Sequence, residues 1–249
     1  MDLLLEATAL AEQHHFWFRG FRRFAAPLLK QAASGRRGLR ILDCGCGTGY
    51  NIRSLLEPCG AAWGVDLAPT GLEHARRAGV ARLARASVTA LPFAPASFDI
   101  ATSFDVLYAL PDEAERAAVA EMWRVLKPGG AAVVNVAAMP VLRGHHSVLA
   151  AEIRRYTPAA LRALLERTGF RLERMRYTHA AVFPLLLAVR SVQRAAGPVR
   201  PDEALADLIV PAAPINAALS GLLAVEAAVS RAVPMPFGSS LLCLARKPA

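Results

Sequence analysis

An α/β fold on a mostly parallel sheet is predicted by three features of this 249-residue chain. Strand-like and helix-like segments alternate from Gly38 to Ala138, the pattern of right-handed crossovers between parallel strands. The first strand-to-helix turn carries Gly45, Gly47 and Gly49, whose backbone can turn sharply and lie against a ligand. Ala131 to Ala138 is apolar on both faces except at Asn135, as a central parallel strand should be.

The elements follow in order. Asp2 to Gln31 reads as one or two helices, with Phe16, Trp17, Phe18 and Phe21 set among Arg19, Arg22 and Arg23. Such a cluster is either a packing face with a solvated rim or a cover over a ligand. Ser34 to Gly38 is a linker, so residues 1–37 form an N-terminal helical cap and residues 38–249 the main domain. Ile41 and Leu42 end a buried strand that Asp43 leaves. Beyond the glycine loop, Ile52, Leu55 and Leu56 lie on one side of a helix that Pro58 stops. Ala61 to Val65 is the second strand, ending at Asp66, and Pro69 opens a helix that stops near Gly79. The third strand covers about 81–86 and the fourth Phe98 to Ser103. A charged helix from Asp112 to Leu126 closes at Lys127-Pro128-Gly129-Gly130. Met139 to Arg155 has no clean period. Pro158 begins a helix ending at Gly169, Phe170 to Thr178 alternates like a strand, and Leu241 to Ala245 is the terminal one. Between those two strands lies a helical insertion, residues 180–237, too long for a plain hairpin connection.

Hydrophobic residues make up 54% and charged residues 20%, which excludes a disordered chain. The formal charge of +9 suits an acidic ligand, a membrane surface or nucleic acid. The basic residues are scattered arginines, so specific nucleic-acid binding is not expected. Cys44, Cys46, Cys59 and Cys243 form no Cys-x-x-Cys pair, so no metal site is expected and a reducing cytoplasm fits. No signal peptide is evident, and no apolar run reaches the ~20 residues of a spanning helix.

The glycine loop separates two ligand classes. A dinucleotide fold favours Gly-x-Gly-x-x-Gly, whereas this loop is Gly-x-Gly-x-Gly, with Tyr50 where the third glycine should fall. Ile41-Leu42-Asp43-Cys44-Gly45-Cys46-Gly47-Thr48-Gly49, Gly64-Val65-Asp66-Leu67, Leu91-Pro92-Phe93, Ser97-Phe98-Asp99 and Val125-Leu126-Lys127-Pro128-Gly129-Gly130 together resemble the successive motifs of the class I S-adenosylmethionine (SAM) methyltransferases. The resemblance implies a Rossmann-like seven-stranded sheet with the last strand antiparallel, and SAM as cofactor. It places Asp43, Gly45, Cys46, Gly47 and Gly49 at the cofactor's amino-acid end, with Asp43 orienting the loop. Asp66 is placed on the ribose, Leu67 and Val88 on the adenine faces, Ser87 at the adenine edge and Phe104 beyond the fourth strand. Asp66 could instead be a capping or surface acid. The segment from His15 to Arg19 resembles an N-terminal helix that closes over the cofactor, which implies roles for Trp17 and Arg19.

Two positions depart from the family. Ser87 stands where an acid is common, and Tyr108-Ala109 where many relatives carry Glu-His, so no histidine base is expected there. The absence of Asn-Pro-Pro-Tyr after the fourth strand argues against methylation of DNA-base amino groups. A sulfonium methyl is already activated, so the protein mainly aligns the groups and excludes water. His145, His146 and Tyr156 are the candidate catalytic groups, since they fall near the carboxyl edge of the sheet; each has a structural alternative. Glu226 lies on an apolar helical stripe and either pairs with an arginine or faces a pocket. The resulting expectation is a monomeric or dimeric methyltransferase acting on a small, apolar acceptor at oxygen, nitrogen or carbon. The insertion, through Phe183 and Leu222, would roof its pocket. A SAM-using enzyme of other chemistry, such as a cyclase, and a non-catalytic SAM-binding accessory protein are the alternatives.

Overall fold

The computed structural model describes residues 2–197, 205 and 208–249, apart from the side chains of His146 and Ala196. Seven strands form one sheet in the order β3-β2-β1-β4-β5-β7-β6. These are β1 (Leu39–Cys44), β2 (Gly60–Asp66), β3 (Leu83–Arg85), β4 (Phe98–Phe104), β5 (Leu126–Ala137), β6 (Arg171–Thr178) and β7 (Ser240–Arg246). Pairing is parallel from β3 through β5, and β7 runs antiparallel to both β5 and β6. Strand β5 starts earlier than the apolar pattern indicates. Leu126 already pairs with Phe98, and the register shifts before Ala131 meets Ile100, so residues 127–130 bulge out of the ladder.

Alternation along the strands divides the core in two. Ile41, Ile100, Val133 and Leu244 face α2 (Phe16–Ala33), α3 (Pro69–Arg77) and α8 (Ala213–Val229). Leu42, Ala101, Val134 and Cys243 face α4 (Asp112–Val125) and α6 (Pro158–Arg167). The turn after the glycine loop is π-helical over Ile52–Leu56 and buries Ile52 and Leu56 fully.

The N-terminal segment divides differently from the expected cap. Helix α1 (Asp2–Ala11) is peripheral, with Leu3 and Leu10 exposed, whereas α2 buries Phe24, Leu28 and Leu29 completely. Helix α2 is therefore part of the core and α1 alone is a cover. Gly20 lets α2 and α8 meet: a Cβ there would lie 2.5 Å from Leu223 Cδ1. Asn216 of α8 accepts from the Phe16 N–H at 2.8 Å and donates to the His14 carbonyl at 2.9 Å. Among the described residues Glu226 pairs with no arginine, and it does not line the cavity. Its two oxygens accept the N–H groups of Ala180 and Ala181, each at 2.8 Å, which anchors the entry to α7 (Phe183–Ala196). Among the described residues no helix is long and apolar enough to cross a membrane.

Candidate active site

A cavity of about 860 Å³ opens at the carboxyl edge of the sheet, near the upper end of ordinary ligand pockets. One half lies over β1, β2 and β3. Its floor is the glycine loop, where Gly45, Gly47 and Gly49 all have positive φ. Gly49 is needed for packing as well as conformation, since a Cβ would lie 2.7 Å from Ala75 Cβ on α3. A Cβ on Gly47 would meet only the Leu5 side chain of α1, at 3.4 Å, so the space over this glycine is otherwise open to a ligand. Asp66 accepts the Gly47 N–H at 2.8 Å and the Ala68 N–H at 2.9 Å, one on each oxygen. Every carboxylate oxygen keeps a second lone pair, so a vicinal diol can still be accepted. Leu67, 64% exposed, and Val88 supply apolar faces beside it, while Ser87 pairs with Thr89 Oγ1 at 2.7 Å.

Helix α1 closes this half from above. Thr48 Oγ1 is 2.7 Å from both oxygens of Glu12, Thr70 donates to Asp2 at 2.7 Å, and His74 meets Glu6 at 3.0 Å. Burial pushes the Glu12 carboxyl up to about 7, which its bond from Thr48 and the nearby Arg22 only partly offset. Asp43 is 2% exposed and lies beneath the loop, outside the cavity wall; it accepts the Thr102 hydroxyl at 2.6 Å. Burial also raises it to about 7, helped by Asp66. The features fit the expected cofactor: a carboxylate with spare lone pairs for hydroxyls, open space over Gly47, and the half-buried acid Glu12 at a place suited to a cation.

The other half lies over β4, β5 and β7. Its apolar wall includes Phe21, Phe104, Leu142, Leu186, Val189 and Leu208, so α2 and the insertion both cover it. Trp17 stacks on His179 at 4.1 Å and 16°, and His179 Nδ1 lies 3.1 Å from Thr178 Oγ1. Burial lowers the His179 pKa to about 4, and likewise that of His15, whose Nδ1 caps α2 by accepting the Trp17 N–H. The polar floor holds Asp105, Asn135, Ser239 and Ser240, flanked by the buried bidentate pair Arg155–Glu152. Asn135 Oδ1 and Ser239 Oγ are buried without a hydrogen-bond partner.

Of the sequence-predicted residues, Trp17, Gly45, Cys46, Gly47, Asp66, Leu67, Ser87, Val88 and Phe104 line the cavity; Asp43 and Gly49 lie behind it. Arg19 does not reach it and sits with Arg22, Arg23 and Tyr50 at a shallow outer depression. Of the expected catalytic trio, His145 and Tyr156 are not brought together. His145 begins α5 (His145–Leu149) away from the wall, and the His146 side chain lies outside the described residues. Tyr156 is in the opposite core, where its hydroxyl donates to Glu115 and burial raises its pKa. Phe183 packs on Phe237, and Leu222 is 43% exposed; neither lines the cavity, whereas Leu186 and Val189 do. Asp105, Glu12 and His179 were not singled out from the sequence. One signal was available for Asp105: β2 ends in Asp66, β4 leads directly to Asp105, and β1 carries Asp43 as its penultimate residue.

A family model described as a methyltransferase domain matches residues 42–134. The chain is 32% identical over 153 residues to the O-methyltransferase rstn1 of Aspergillus nomiae, covering 56% of this chain and 67% of that protein. It is 30% identical over 167 residues to a Mycolicibacterium smegmatis protein named as a probable S-adenosylmethionine-dependent methyltransferase, covering 66% and 62% respectively. The chain spans 60% to 67% of the lengths of its first three curated relatives. A chain in the Haloferax volcanii complex of the Trm112 methyltransferase activator has the same fold, with a TM-score of 0.62, 21% identity, and coverage of 100% of this chain and 96% of that one.

Proposed function

We propose, from the premise that this chain belongs to the class I SAM-dependent methyltransferases, that it transfers the SAM methyl group to a small, largely apolar acceptor. The observation that carries this is the cavity's second half, with its apolar wall and few polar groups, continuous with the half suited to SAM. When bound, SAM supplies a methyl on a sulfonium, already activated for transfer. Asp66 would hold the ribose hydroxyls, Leu67 and Val88 would flank the adenine, and Ser87 would meet its edge. Glu12, held by Thr48, would balance a positive charge at the amino-acid end, and α1 would exclude water from that end. Phe104 and Trp17 would border the acceptor. The arginines that give the chain its charge are in good part paired internally, as in Arg124–Glu121 and Arg246–Glu173, which supports a small acceptor over a nucleic acid.

The test is to measure SAM binding calorimetrically, then follow methyl-labelled SAM incubated with the small-molecule fraction of a cell extract. Label should pass into organic-extractable product with release of S-adenosylhomocysteine. A Leu186→Arg variant, which fills the acceptor half, should still bind SAM and lose the transfer. Failure to bind SAM, or label transfer that Leu186→Arg leaves intact, would overturn the reading.

A further inference from the structure

Among the described residues, the cavity floor outside the cofactor half carries Asp105 in addition to Glu152, which Arg155 holds. Asp105 follows β4 directly and stands at the border between the two halves, with a left-handed backbone at φ 61°. A non-glycine residue in that region is held there by its surroundings. Here the holding is done by one neighbour. The Asp105 N–H donates to the Asn135 carbonyl at 3.0 Å, and the Asn135 side-chain amide donates to Asp105 Oδ1 at 2.9 Å. Asp105 is solvent-exposed and lines the cavity, and among the described residues no hydrogen bond is made to its Oδ2. The next residue, Val106, packs against the glycine loop: a Cβ on Gly45 would lie 2.3 Å from Val106 Cγ2. The carboxylate is thus fixed in place beside the loop that would hold the methyl donor.

We infer that Asp105 is the proton acceptor of the reaction, and that the acceptor molecule is a phenol-like aromatic hydroxyl. This rests on the methyltransferase reading and specifies the acceptor within it. A free amine attacks through its own lone pair and sheds its proton afterwards. A hydroxyl is a poor nucleophile until its proton is taken, so an oriented carboxylate at this border has a use for O–H acceptors above all. Aromatic walls from Phe21, Phe104 and Trp17 suit a flat ring. In the step, the acceptor oxygen forms the O–CH₃ bond as the C–S bond breaks, the bonding pair stays on sulfur, and the hydroxyl proton goes to Asp105 Oδ2. The charged groups around Asp105 are Glu152, which raises its pKa, and Arg155, which lowers it; the enclosing cavity walls, which leave it open to solvent on the cavity side, have the largest effect and raise the carboxyl to about 7. A base so placed is half-ionised near neutrality and still accepts a proton readily.

The probes are 4-phenylphenol, whose hydroxyl stays protonated at neutral pH, and 4-nitrophenol, which ionises near neutrality. Asp105→Asn should bind SAM normally by calorimetry and cut kcat about a hundredfold for 4-phenylphenol, but less than about tenfold for 4-nitrophenol. Because the ratio is taken on one protein sample, any misfolded fraction cancels. A second readout needs no turnover. With S-adenosylhomocysteine present, the absorbance of bound 4-nitrophenol should report a higher apparent pKa in the wild type than in Asp105→Asn, since the neighbouring carboxylate disfavours the phenolate. Equal losses for both phenols, no loss, or an unchanged pKa of the bound phenol overturns the role of Asp105. A wild-type protein that binds SAM yet methylates neither phenol overturns the acceptor class alone. Absence of SAM binding overturns instead the reading on which it rests.

Discussion

Asp66 shows how a single side chain joins fold and function. It ties the glycine loop to the start of α3 through the Gly47 and Ala68 N–H groups, and it does so with lone pairs that a ribose does not need. Asp66→Ala should therefore weaken SAM binding by about 1.5–3 kcal/mol, the scale of a hydrogen bond to a charged group. Titration calorimetry checks this, and unchanged affinity would remove Asp66 from the site. This residue was legible in the sequence because its position, a strand end after the loop, is local information. The glycines were legible for the same reason. Tyr156 was not, because nothing in its neighbours along the chain says that its hydroxyl turns into the core toward Glu115. Glu12 and His179 escaped notice in the opposite direction. Each is an unremarkable residue until α1 lies on Thr48 or Trp17 stacks on the imidazole.

Helix α1 is where packing and function separate most clearly. It buries only Ala11, and its own ties to the domain are the polar contacts of Asp2 with Thr70 and of Glu6 with His74, the packing of Leu4 and Ala7, and Leu5 over Gly47; Glu12, just past its end, meets Thr48. Removing residues 2–11 should leave the fold intact and raise the SAM dissociation constant at least about tenfold, equivalent to 1.4 kcal/mol. Circular dichroism and calorimetry on the truncated chain decide it: a folded protein with unaltered affinity makes α1 simple packing. Truncation through α2 would be uninformative, since Phe24, Leu28 and Leu29 belong to the main core. The sequence marked the helical, aromatic character of this segment but not the division between its two helices. That division depends on α8, whose Leu223 fits over Gly20 from about two hundred residues away along the chain. The sheet was far easier to read, because parallel strands buried on both faces announce themselves as apolar runs. The insertion was legible as helical, whereas its cavity-facing side was not. Its helices carry apolar residues on more than one face: Val192 and Val225 are exposed as Leu186 lines the cavity.

At the scale of the whole molecule, the ionisable groups shifted by desolvation oppose one another. Glu12, Asp43 and Asp105 are all raised to about 7. Between their unfolded values and about 7 the folded state holds protons that the unfolded chain has released, so stability falls as pH rises through that window. His15 and His179 are lowered to about 4 and act the other way. The folded state binds fewer protons than the unfolded chain between about 4 and 6.5, so stability rises with pH there. Asp99 and Glu121, lowered with help from Lys127 and Arg124, add stability that is lost only as pH falls below the ordinary carboxylate range. The histidine effect is half over at about 6.5 and fades by about 7.5, and between about pH 6 and 8 the larger carboxyl effect outweighs what remains of it. The ligand-free protein should therefore melt at a lower temperature at about pH 8 than at about pH 6. SAM, which is cationic at its sulfonium and ammonium, should favour ionised Glu12 and Asp43, so the stabilisation it gives should grow over the same interval. Glu12→Gln should remove part of both effects. Thermal melts with and without SAM at the two pH values test this: a ligand-free melting temperature that holds or rises from about pH 6 to about pH 8 would mean that these carboxyls are ionised in the folded state without a cation to balance them.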